Sequence, residues 1–338
     1  MEKLFIISNE SIFQEGEKYF CDNIDMKTTP EGLSTNFEIN ILARKSKKFR
    51  SHQIKLKKIN ISSSIFNFLK QVFKSLKYKE AKYLVISISP YTFLACIFLR
   101  LFKKKPLVFL RSDGYTEYKA IFGFIGSSIY HVMFSIISKI SNFISVREYI
   151  LKGKKGVIIY PSQLDDKWSE NIKISNLEKI KMLYVGRLKI EKGIFSLLNI
   201  IKNNDKIILS IVGIEKETKY NIVQNNINLY EIEDNQQNLI KYYDDSNIFV
   251  LPSFTEGRPM VLLEALSRLR PIIIFKDISH VIGNKIGIFV SERNSNSFNK
   301  TLNYVIENYT NIQQEMKKNK LPTKEEYIKS FIKAINSN

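Results

Sequence analysis

The chain has 338 residues and a formal net charge of +19, because 52 Lys and Arg residues outnumber 33 Asp and Glu residues. Two cysteines are too few for a disulfide framework or a cysteine-based metal site, and three scattered histidines lack the spacing of zinc ligands. The length suffices for two domains with complete cores. We therefore expect a two-domain protein of a reducing cytoplasm, and the first residues show no signal-peptide cleavage pattern.

Short apolar runs alternate with helical stretches along the first half of the chain. We predict strands at 3–8, 37–43, 83–88, 106–110, 142–146 and 157–160. This alternation is typical of an α/β domain built on a parallel sheet. We therefore predict a first domain over residues 1–165, with a linker near 162–170.

A basic stretch stands out within this half. Residues 41–82 contain thirteen Lys and Arg residues and one acidic residue, Glu80. From 65 to 76, apolar side chains recur at helical spacing with Lys70, Lys74 and Lys77 between and after them, which predicts a cationic amphipathic helix. Such a helix could lie on an anionic membrane, or it could pack on the sheet while its lysines merely reflect a Lys-rich composition. No nucleic-acid-binding motif accompanies the charge, so we do not expect nucleic acid as a partner.

Two apolar segments raise the question of a membrane-spanning helix. Pro90 divides the run 83–102 into a strand and a short helix, and a further strand follows, so we interpret it as a βαβ unit of the core. The segment 121–146 is apolar around most of a helix. We predict a buried helix of the first domain there, with a membrane-facing edge as the alternative.

The second half repeats the strand–helix alternation. Strands are predicted at 181–185, 206–212, 246–251, 271–275 and 287–290, which gives a second α/β domain over residues 166–320. A capping box at 323–326 predicts a final helix over 323–336 with one apolar side.

A strand at 182–185 leads into Gly186, Arg187 and Leu188, and Glu191-Lys192-Gly193 then opens a helix. The N-terminus of a helix offers unpaired N–H groups and the positive end of the helix dipole. Arg187 can grip a phosphate through two parallel hydrogen bonds, whereas Lys192 acts as a point charge. This segment therefore predicts a diphosphate-binding loop, although both cations could also be solvated surface charges.

A second strand–loop–helix segment covers residues 246–266. Its strand is continuously apolar, its loop carries Glu256 and Gly257, and Pro259 suits the first helical position. Glu264 follows in the second helical turn among apolar neighbours, where a carboxylate requires a partner. Two carboxylates with seven residues between them thus flank a crevice at the carboxyl end of a strand.

Together the two segments resemble the donor-site signature of family 4 retaining glycosyltransferases of the GT-B fold (glycosyl transferases group 1), of the type that builds bacterial surface polysaccharides. The resemblance implies two Rossmann-like α/β domains that face each other across a cleft, the first binding the acceptor and the second the donor. It also implies that the final helix packs back on the first domain. The implied reaction moves a sugar from a UDP- or GDP-sugar to a glycan or polyprenyl-linked acceptor with retention at the anomeric carbon. We expect a cytoplasmic protein, and the basic stretch leaves two alternatives open: a peripheral position on the inner face of the membrane, or a Lys-rich composition without membrane binding.

The resemblance also assigns roles. Arg187 and Lys192 would stabilise the leaving diphosphate, Glu256 would orient the donor sugar, and Glu264 would bind the ribose. The remaining donor-binding positions are Gly186, Gly257 and Arg258.

In the first domain, Asp113 stands in an Arg-x-Asp-Gly turn where many relatives have a histidine, so Asp113 becomes the acceptor-side catalytic candidate, or else a plain turn residue. No Asp-x-Asp pair occurs, so no metal or other cofactor is expected. Two alternatives stay open: a GT-B epimerase or hydrolase acting on nucleotide sugars, and a non-catalytic basic relative that binds glycan or nucleic acid.

Overall fold

The computed structural model describes residues 1–214 and 225–338. They divide into two compact units, one formed by Met1–Pro161 with Glu325–Asn338 and the other by Ser162–Lys324. Each unit has its own hydrophobic core. The division after Pro161 falls a few residues before the boundary predicted at 165.

Fifteen strands lie within the described residues. They are β1 (Glu2–Glu15), β2 (Lys18–Cys21), β3 (Phe37–Lys45), β4 (His52–Ile54), β5 (Ile59–Ser62), β6 (Lys82–Ile86), β7 (Leu107–Leu110), β8 (Asn142–Ser145), β9 (Val157–Ile158), β10 (Ile180–Val185), β11 (Ile207–Ile214), β12 (Ile227–Glu231), β13 (Ile248–Leu251), β14 (Ile272–Phe275) and β15 (Ile288–Ser291).

Ten α-helices accompany these strands in the same residues. They are α1 (Ile24–Leu33), α2 (Ile65–Ser75), α3 (Pro90–Leu101), α4 (Gly114–Ile140), α5 (Ile194–Ile201), α6 (Gln236–Asp245), α7 (Met260–Ser267), α8 (Ser295–Glu307), α9 (Tyr309–Met316) and α10 (Lys324–Asn336).

The sheet of the first unit is parallel in the order β5-β3-β1-β6-β7-β8-β9. Strands β2 and β4 extend it by antiparallel pairing at the far end of β1. The sequence did not predict β2, β4 or β5, because these strands are only three or four residues long and lack a continuous apolar run. The βαβ interpretation of 83–102 is confirmed by β6, α3 and β7, with Pro90 as the first residue of α3.

The final helix packs on the core of this first unit. Its residues Tyr327, Phe331 and Ile335 are buried. The Phe331 ring lies 4.9 Å from the Phe109 ring, measured between centroids, and the Tyr327 hydroxyl lies 3.1 Å from the Thr29 hydroxyl. Apolar contacts and one buried hydrogen bond therefore hold α10 on the first unit, although residues 162–324 of the second unit lie between them in the sequence.

Helix α4 contradicts the prediction of a buried helix over 121–146. Its buried residues are few, and only 28% of its most apolar stretch is buried. The exposed positions include Phe122, Phe124 and Ile125. The prediction was wrong for the first half of this helix, because apolar composition around a helix does not reveal which neighbours the fold supplies to cover it.

The second unit has an entirely parallel sheet in the order β12-β11-β10-β13-β14-β15. The strand order reverses between β10 and β13, which are neighbours. All four residues of β13 are buried, as its continuous apolar run predicts. Ligands of open α/β sheets bind at the carboxyl ends of the strands at such a reversal, so the loops after β10 and β13 are where a ligand is expected.

Candidate functional site

The loops that leave β10 and β13 carry most of the predicted site residues. Gly186 follows β10 directly, and its N–H donates to the Val212 carbonyl oxygen at 2.9 Å. A short 3₁₀ turn, Ile190–Lys192, precedes Gly193 and helix α5. The topology thus places the loop carrying Arg187 and Lys192 beside the loop carrying Glu256.

Lys192 and Glu256 form an ion pair between these two loops. Lys192 Nζ lies 2.7 Å from Glu256 Oε1, and the two side chains are 26% and 10% exposed. The buried Ser253 hydroxyl donates to the same Oε1 atom at 2.6 Å. One carboxylate oxygen therefore receives two donors, and Lys192 is held next to the loop in which the sequence predicts sugar recognition.

Gly193 lets the two loops approach each other closely. Its φ of +66° lies in the left-handed region, and a Cβ atom there would come within 1.9 Å of the Pro252 carbonyl oxygen. Just beyond, the Phe254 N–H donates to the Glu191 carbonyl oxygen at 2.9 Å. Only glycine meets both the backbone and the steric requirement at this position.

Arg293 anchors the backbone of the loop after β13, and no sequence pattern predicts this contact. Its guanidinium donates to the carbonyl oxygens of Pro252 and Ser253 at 2.8 and 3.1 Å. It also pairs with Asp277 at 2.7 Å and lies 4.0 Å above the Phe254 ring. These contacts fix the backbone that positions the Ser253 hydroxyl.

His280 approaches the same loop, with Nε2 2.8 Å from the Glu256 carbonyl oxygen. Because a carbonyl oxygen only accepts, His280 Nε2 is the donor. Ser253 and His280 were not singled out from the sequence, since neither belongs to a pattern of spacing that identifies it.

Arg187 is partly buried on the first loop, and its carbonyl oxygen accepts a hydrogen bond from the Tyr184 hydroxyl at 3.0 Å. Burial is the main cause that raises the Tyr184 pKa, and the Glu256 charge adds to it. Tyr184 is therefore a neutral donor at every physiological pH and anchors the Arg187 backbone to the end of β10.

Glu264 lies on α7 in a different environment from Glu256. Its side chain is buried, and its Oε2 accepts a hydrogen bond from the buried Tyr243 hydroxyl at 2.8 Å. Burial raises the pKa of Glu264 from 4.5 to about 7, and the Tyr243 hydrogen bond opposes this rise. The sequence predicts that a carboxylate among apolar neighbours needs a hydrogen-bond partner, and for Glu264 this partner is Tyr243 of helix α6.

The predicted positions between the two glutamates lie on the loop that enters α7. Gly257 and Arg258 are partly buried there. Helix α7 begins at Met260, and Pro259 is its N-cap with ψ of 118°. The prediction that Pro259 occupies the first helical position was therefore wrong by one residue, because the chain is still extended at the proline.

Asp113 lies in the first unit and caps helix α4. Its Oδ1 accepts from the Tyr115 N–H at 3.1 Å, and its Oδ2 lies 2.8 Å from Lys152 Nζ. The N-cap bond and the close cation give each carboxylate oxygen of Asp113 a partner within the first unit. The structure thus gives Asp113 a local role and brings it together with Lys152, while its catalytic role stays a prediction.

Within residues 1–214 and 225–338, no group of three or more His, Cys, Asp or Glu side chains has the geometry to hold a metal ion. The loops after β10 and β13 and helix α7 offer cations, backbone N–H groups and two carboxylates in different environments. Such a set suits a ligand that combines a polyanion with hydroxyl groups.

Residues 166–321 match the model of the family described as "Glycosyl transferases group 1". Two curated relatives are similar to parts of the chain. An uncharacterized glycosyltransferase of Haemophilus influenzae is 31% identical over 36% of this chain and 38% of its own length, and the putative teichuronic acid biosynthesis glycosyltransferase TuaC of Bacillus subtilis is 34% identical over 29% of this chain and 25% of its own. The matched segments thus span well under half the length of each relative.

Solved structures resemble the whole chain. Anabaena Alr3699/HepE in complex with UDP has a TM-score of 0.71 at 12% identity, and all of both chains is covered. The apo form of the lipopolysaccharide outer core galactosyltransferase WaaB has a TM-score of 0.65 at 17% identity, with 99% of both chains covered. At these identities the likeness establishes the fold.

The fold defines the class: this is an α/β chain of the GT-B type, as the sequence predicted. Within that class, the family match over residues 166–321 assigns the second unit to glycosyl transferases group 1. The arrangement of the two units across a cleft stays a prediction, as does every assigned site role.

Proposed function

We propose that the chain is a retaining glycosyltransferase that takes its sugar from a UDP- or GDP-sugar without a metal ion. The observation that carries this proposal is the Lys192–Glu256 pair, which joins the loops after β10 and β13 where the strand order reverses. One loop supplies cations for a diphosphate and the other a carboxylate for sugar hydroxyls. The diphosphate and the sugar of a nucleotide sugar thus each have a suitable partner, Lys192 and Glu256, and these two side chains are in contact.

Arg187 and Lys192 would bind the diphosphate together with the free N–H groups at the start of α5. The arrangement is suited to this because α5 has no side-chain cap, so its first N–H groups are left for a ligand. The ion pair with Glu256 orients the Lys192 side chain. Orientation before binding reduces the entropy cost of gripping the phosphate.

In the proposed reaction, the bond between the anomeric carbon and the diphosphate oxygen breaks, and a bond to an acceptor hydroxyl oxygen forms on the same face of the sugar. The acceptor proton passes to the leaving phosphate, so a protein base is not required. Charge grows on the diphosphate as the bond breaks, and Arg187 and Lys192 would stabilise it in the transition state. Glu256 would orient the sugar through its hydroxyls.

We propose a glycan or polyprenyl-linked glycan as the acceptor, in the synthesis of a bacterial surface polysaccharide. Similarity to a teichuronic acid biosynthesis protein and to a lipopolysaccharide galactosyltransferase supports this class. The first unit would bind the acceptor, with Asp113 as the candidate group at the end of β7.

A thermal-shift panel of UDP, GDP, ADP and CMP sugars tests the donor half of this proposal. A ligand at a hundred times its dissociation constant stabilises the folded protein by about 2.7 kcal/mol, which is a clear shift in melting temperature. UDP- or GDP-sugars are expected to stabilise and CMP-sugars are not. Activity with the stabilising donor is expected to persist in excess chelator; loss in chelator with rescue by magnesium or manganese would reject the metal-free mechanism.

Transfer assays with the stabilising donor then separate the alternatives. A transferase forms a glycosylated acceptor and does so at a negligible rate without one. A nucleotide-sugar epimerase or hydrolase forms product from the donor alone. Product formed equally well in the absence of any acceptor would replace our proposal by that alternative.

A further inference from the structure

Helix α4 is a hairpin with an exposed apolar tip. Gly123 has φ of 64° and ψ of −150°, which is not helical, and it divides the helix in two. The Tyr115 hydroxyl lies 2.9 Å from His131 Nδ1, and the Tyr118 and Tyr130 rings lie 5.3 Å apart. Sixteen residues of straight helix would separate Tyr115 from His131 by about 24 Å, so the chain must reverse at Gly123.

Four large apolar side chains surround this reversal and are left in solvent. Ile121, Phe122, Phe124 and Ile125 are 67%, 59%, 82% and 70% exposed. Consecutive apolar residues this exposed are uncommon on a soluble surface, where single apolar side chains are the norm. The hairpin tip is therefore an apolar feature that the first unit does not cover with its own residues.

The rest of the hairpin is anchored in the protein. Tyr130, Met133, Phe134 and Ile137 are buried in the core of the first unit. The segment is long and apolar enough by composition to cross a membrane. Because its second half is packed on the core and its first half folds back, the hairpin cannot span a bilayer while the unit is folded.

Charge determines what can cover the tip. No Asp, Glu, Lys or Arg occurs from 120 to 138, and Lys119 and Lys139 flank this stretch as exposed cations. The neighbouring helices continue the pattern: α4 packs on α3 and α3 on α2, whose Lys70 and Lys74 are exposed. A second copy of the chain, with its net charge of +19, would be repelled by this surface, whereas an anionic surface would be attracted.

We propose that the α4 hairpin, residues 114–140, docks the protein on an anionic phospholipid bilayer by inserting its tip into the interfacial region, while the lysines of α2 hold the headgroups. Apolar insertion combined with electrostatic attraction is how interfacial segments bind without spanning. The first unit would then be held at the membrane surface, where a polyprenyl-linked acceptor resides. The docking itself does not depend on the donor chemistry.

Vesicle sedimentation tests the docking with the full chain. Wild type is expected to bind vesicles of phosphatidylcholine containing about a third phosphatidylglycerol, and to bind pure phosphatidylcholine weakly. The double substitution Phe122→Ser with Phe124→Ser is expected to lower the partition coefficient by roughly tenfold or more. A matched control, Ile174→Ser with Tyr304→Ser, removes two exposed side chains of the second unit (75% and 54% exposed) and is expected to bind like wild type.

Two further measurements separate insertion from charge. Phe124→Trp places a fluorescent reporter at the tip. The single native tryptophan, Trp168, is buried in the second unit. The emission of the reporter is expected to shift to the blue with acidic vesicles. The triple change of Lys70, Lys74 and Lys77 to Gln is expected to reduce the salt-dependent part of binding, because Lys119 and Lys139 remain, and to leave the emission shift of bound protein intact.

Three results would overturn the docking proposal. One is a wild type that ignores acidic vesicles. Another is equal binding by the Phe122→Ser, Phe124→Ser variant. The third is a wild-type dimer in lipid-free sedimentation velocity that this variant converts to monomer, which would make the tip a self-association surface. UDP-induced thermal stabilisation, measured in parallel, reports on the donor site alone, so failure there would count against the proposed function and not against docking.

Discussion

Lys192 and Glu256 meet at 2.7 Å across two loops that are 64 residues apart in the chain. Their contact depends on parallel pairing of β10 with β13, which brings the ends of the two strands side by side. Ser253 shares the same oxygen of Glu256 and so restricts where the carboxylate can point. A partly exposed ion pair contributes little to stability, so we interpret its value as orientation of two ligand-binding groups.

Substituting either cation tests the proposed leaving-group role. Arg187→Ala and Lys192→Ala are each expected to lower turnover by about a hundredfold or more, because a charge that meets the transition state contributes on the order of 3 kcal/mol. Steady-state transfer kinetics measure the loss. Lys189→Ala, which removes an exposed cation from the same loop, is the control and is expected to retain activity. Wild-type turnover in Arg187→Ala or Lys192→Ala would exclude that residue from the mechanism.

Substitutions of the two glutamates are expected to change different constants. Glu264→Gln should weaken free nucleoside diphosphate as well as the donor, because a ribose contact is common to both ligands. Glu256→Gln should lower turnover and leave nucleoside diphosphate affinity nearly unchanged, because a sugar contact is absent from the nucleotide. Charged hydrogen bonds contribute about 1.5 to 3 kcal/mol, so the respective constants should change tenfold or more. Calorimetric titration with UDP or GDP measures the nucleoside diphosphate affinity, and transfer kinetics measure the turnover. Equal effects of both variants on both constants would contradict the assignment of Glu264 to the ribose and Glu256 to the sugar.

Glu264 also predicts a pH dependence of stability. Its pKa is about 7 in the folded chain and 4.5 ordinarily, so between these values the unfolded chain has lost the proton that the folded chain keeps. The contribution of Glu264 to the free energy of unfolding therefore falls as pH rises through this window, by up to about 3 kcal/mol, and is level above it. Glu264→Gln removes the effect.

Denaturant unfolding at pH 5 and pH 8 measures this contribution. The free energy of unfolding of Glu264→Gln minus that of wild type should be larger at pH 8 than at pH 5. This gain is expected although Glu264→Gln binds nucleotide less well. Glu307→Gln, on the exposed side of α8 in the same unit, is the control and should follow wild type. A Glu264→Gln curve parallel to wild type across the whole range would show that Glu264 ionises normally in the folded chain.

Asp244 supports a buried cation that sequence reasoning did not find. Arg268 is 1% exposed, donates to both oxygens of Asp244 at 2.9 and 2.8 Å, and also donates to the carbonyl oxygens of Trp168, Glu170 and Asn171. Asp244→Asn leaves this guanidinium buried without its counter-ion and should cost about 3 kcal/mol or more. The adjacent Asp245 pairs with Lys173 in solvent, so Asp245→Asn is the control and should cost less than about 1 kcal/mol. Similar midpoints for the two variants in urea would refute this reasoning.

The sequence could predict those parts of the fold and site that depend on local pattern. The apolar runs of β10 and β13 and the Gly186 turn are visible in single segments, as is the placement of Glu256 on a loop. Contacts made by residues remote in sequence were not predictable. Tyr243 and Arg293 reach Glu264 and Ser253 through packing of separate elements, and no spacing rule links them.

Exposure was the second quantity that pattern could not supply. The periodicity of residues 121–140 shows an apolar helix, but its reversal at Gly123 depends on a backbone conformation that a lone glycine permits without requiring. Burial of one half and exposure of the tip then follow from which neighbours the fold supplies. The same composition is compatible with a core helix, so the sequence left both interpretations open.

Gly193 gives the most local test of how the two loops fit together. Gly193→Ala would strain a left-handed residue and place a methyl group 1.9 Å from the Pro252 carbonyl oxygen, so the loops must separate. Gly153 also has a left-handed φ, of +77°, but its Cβ would meet nothing within 4 Å. Gly153→Ala should therefore cost only the backbone strain, about 1 to 2 kcal/mol.

Gly193→Ala should show that same strain and, beyond it, a loss of nucleoside diphosphate affinity of tenfold or more, because Lys192 and the start of α5 move away from Glu256. The melting temperature should fall further in Gly193→Ala than in Gly153→Ala, because the clash with Pro252 adds to the backbone strain that both variants share. Titration with UDP or GDP reports the loop separation that belongs to Gly193→Ala alone. If the two variants bound nucleotide equally well, close contact between the loops would not be needed for the donor site, and the proposal built on the Lys192–Glu256 pair would lose its structural basis.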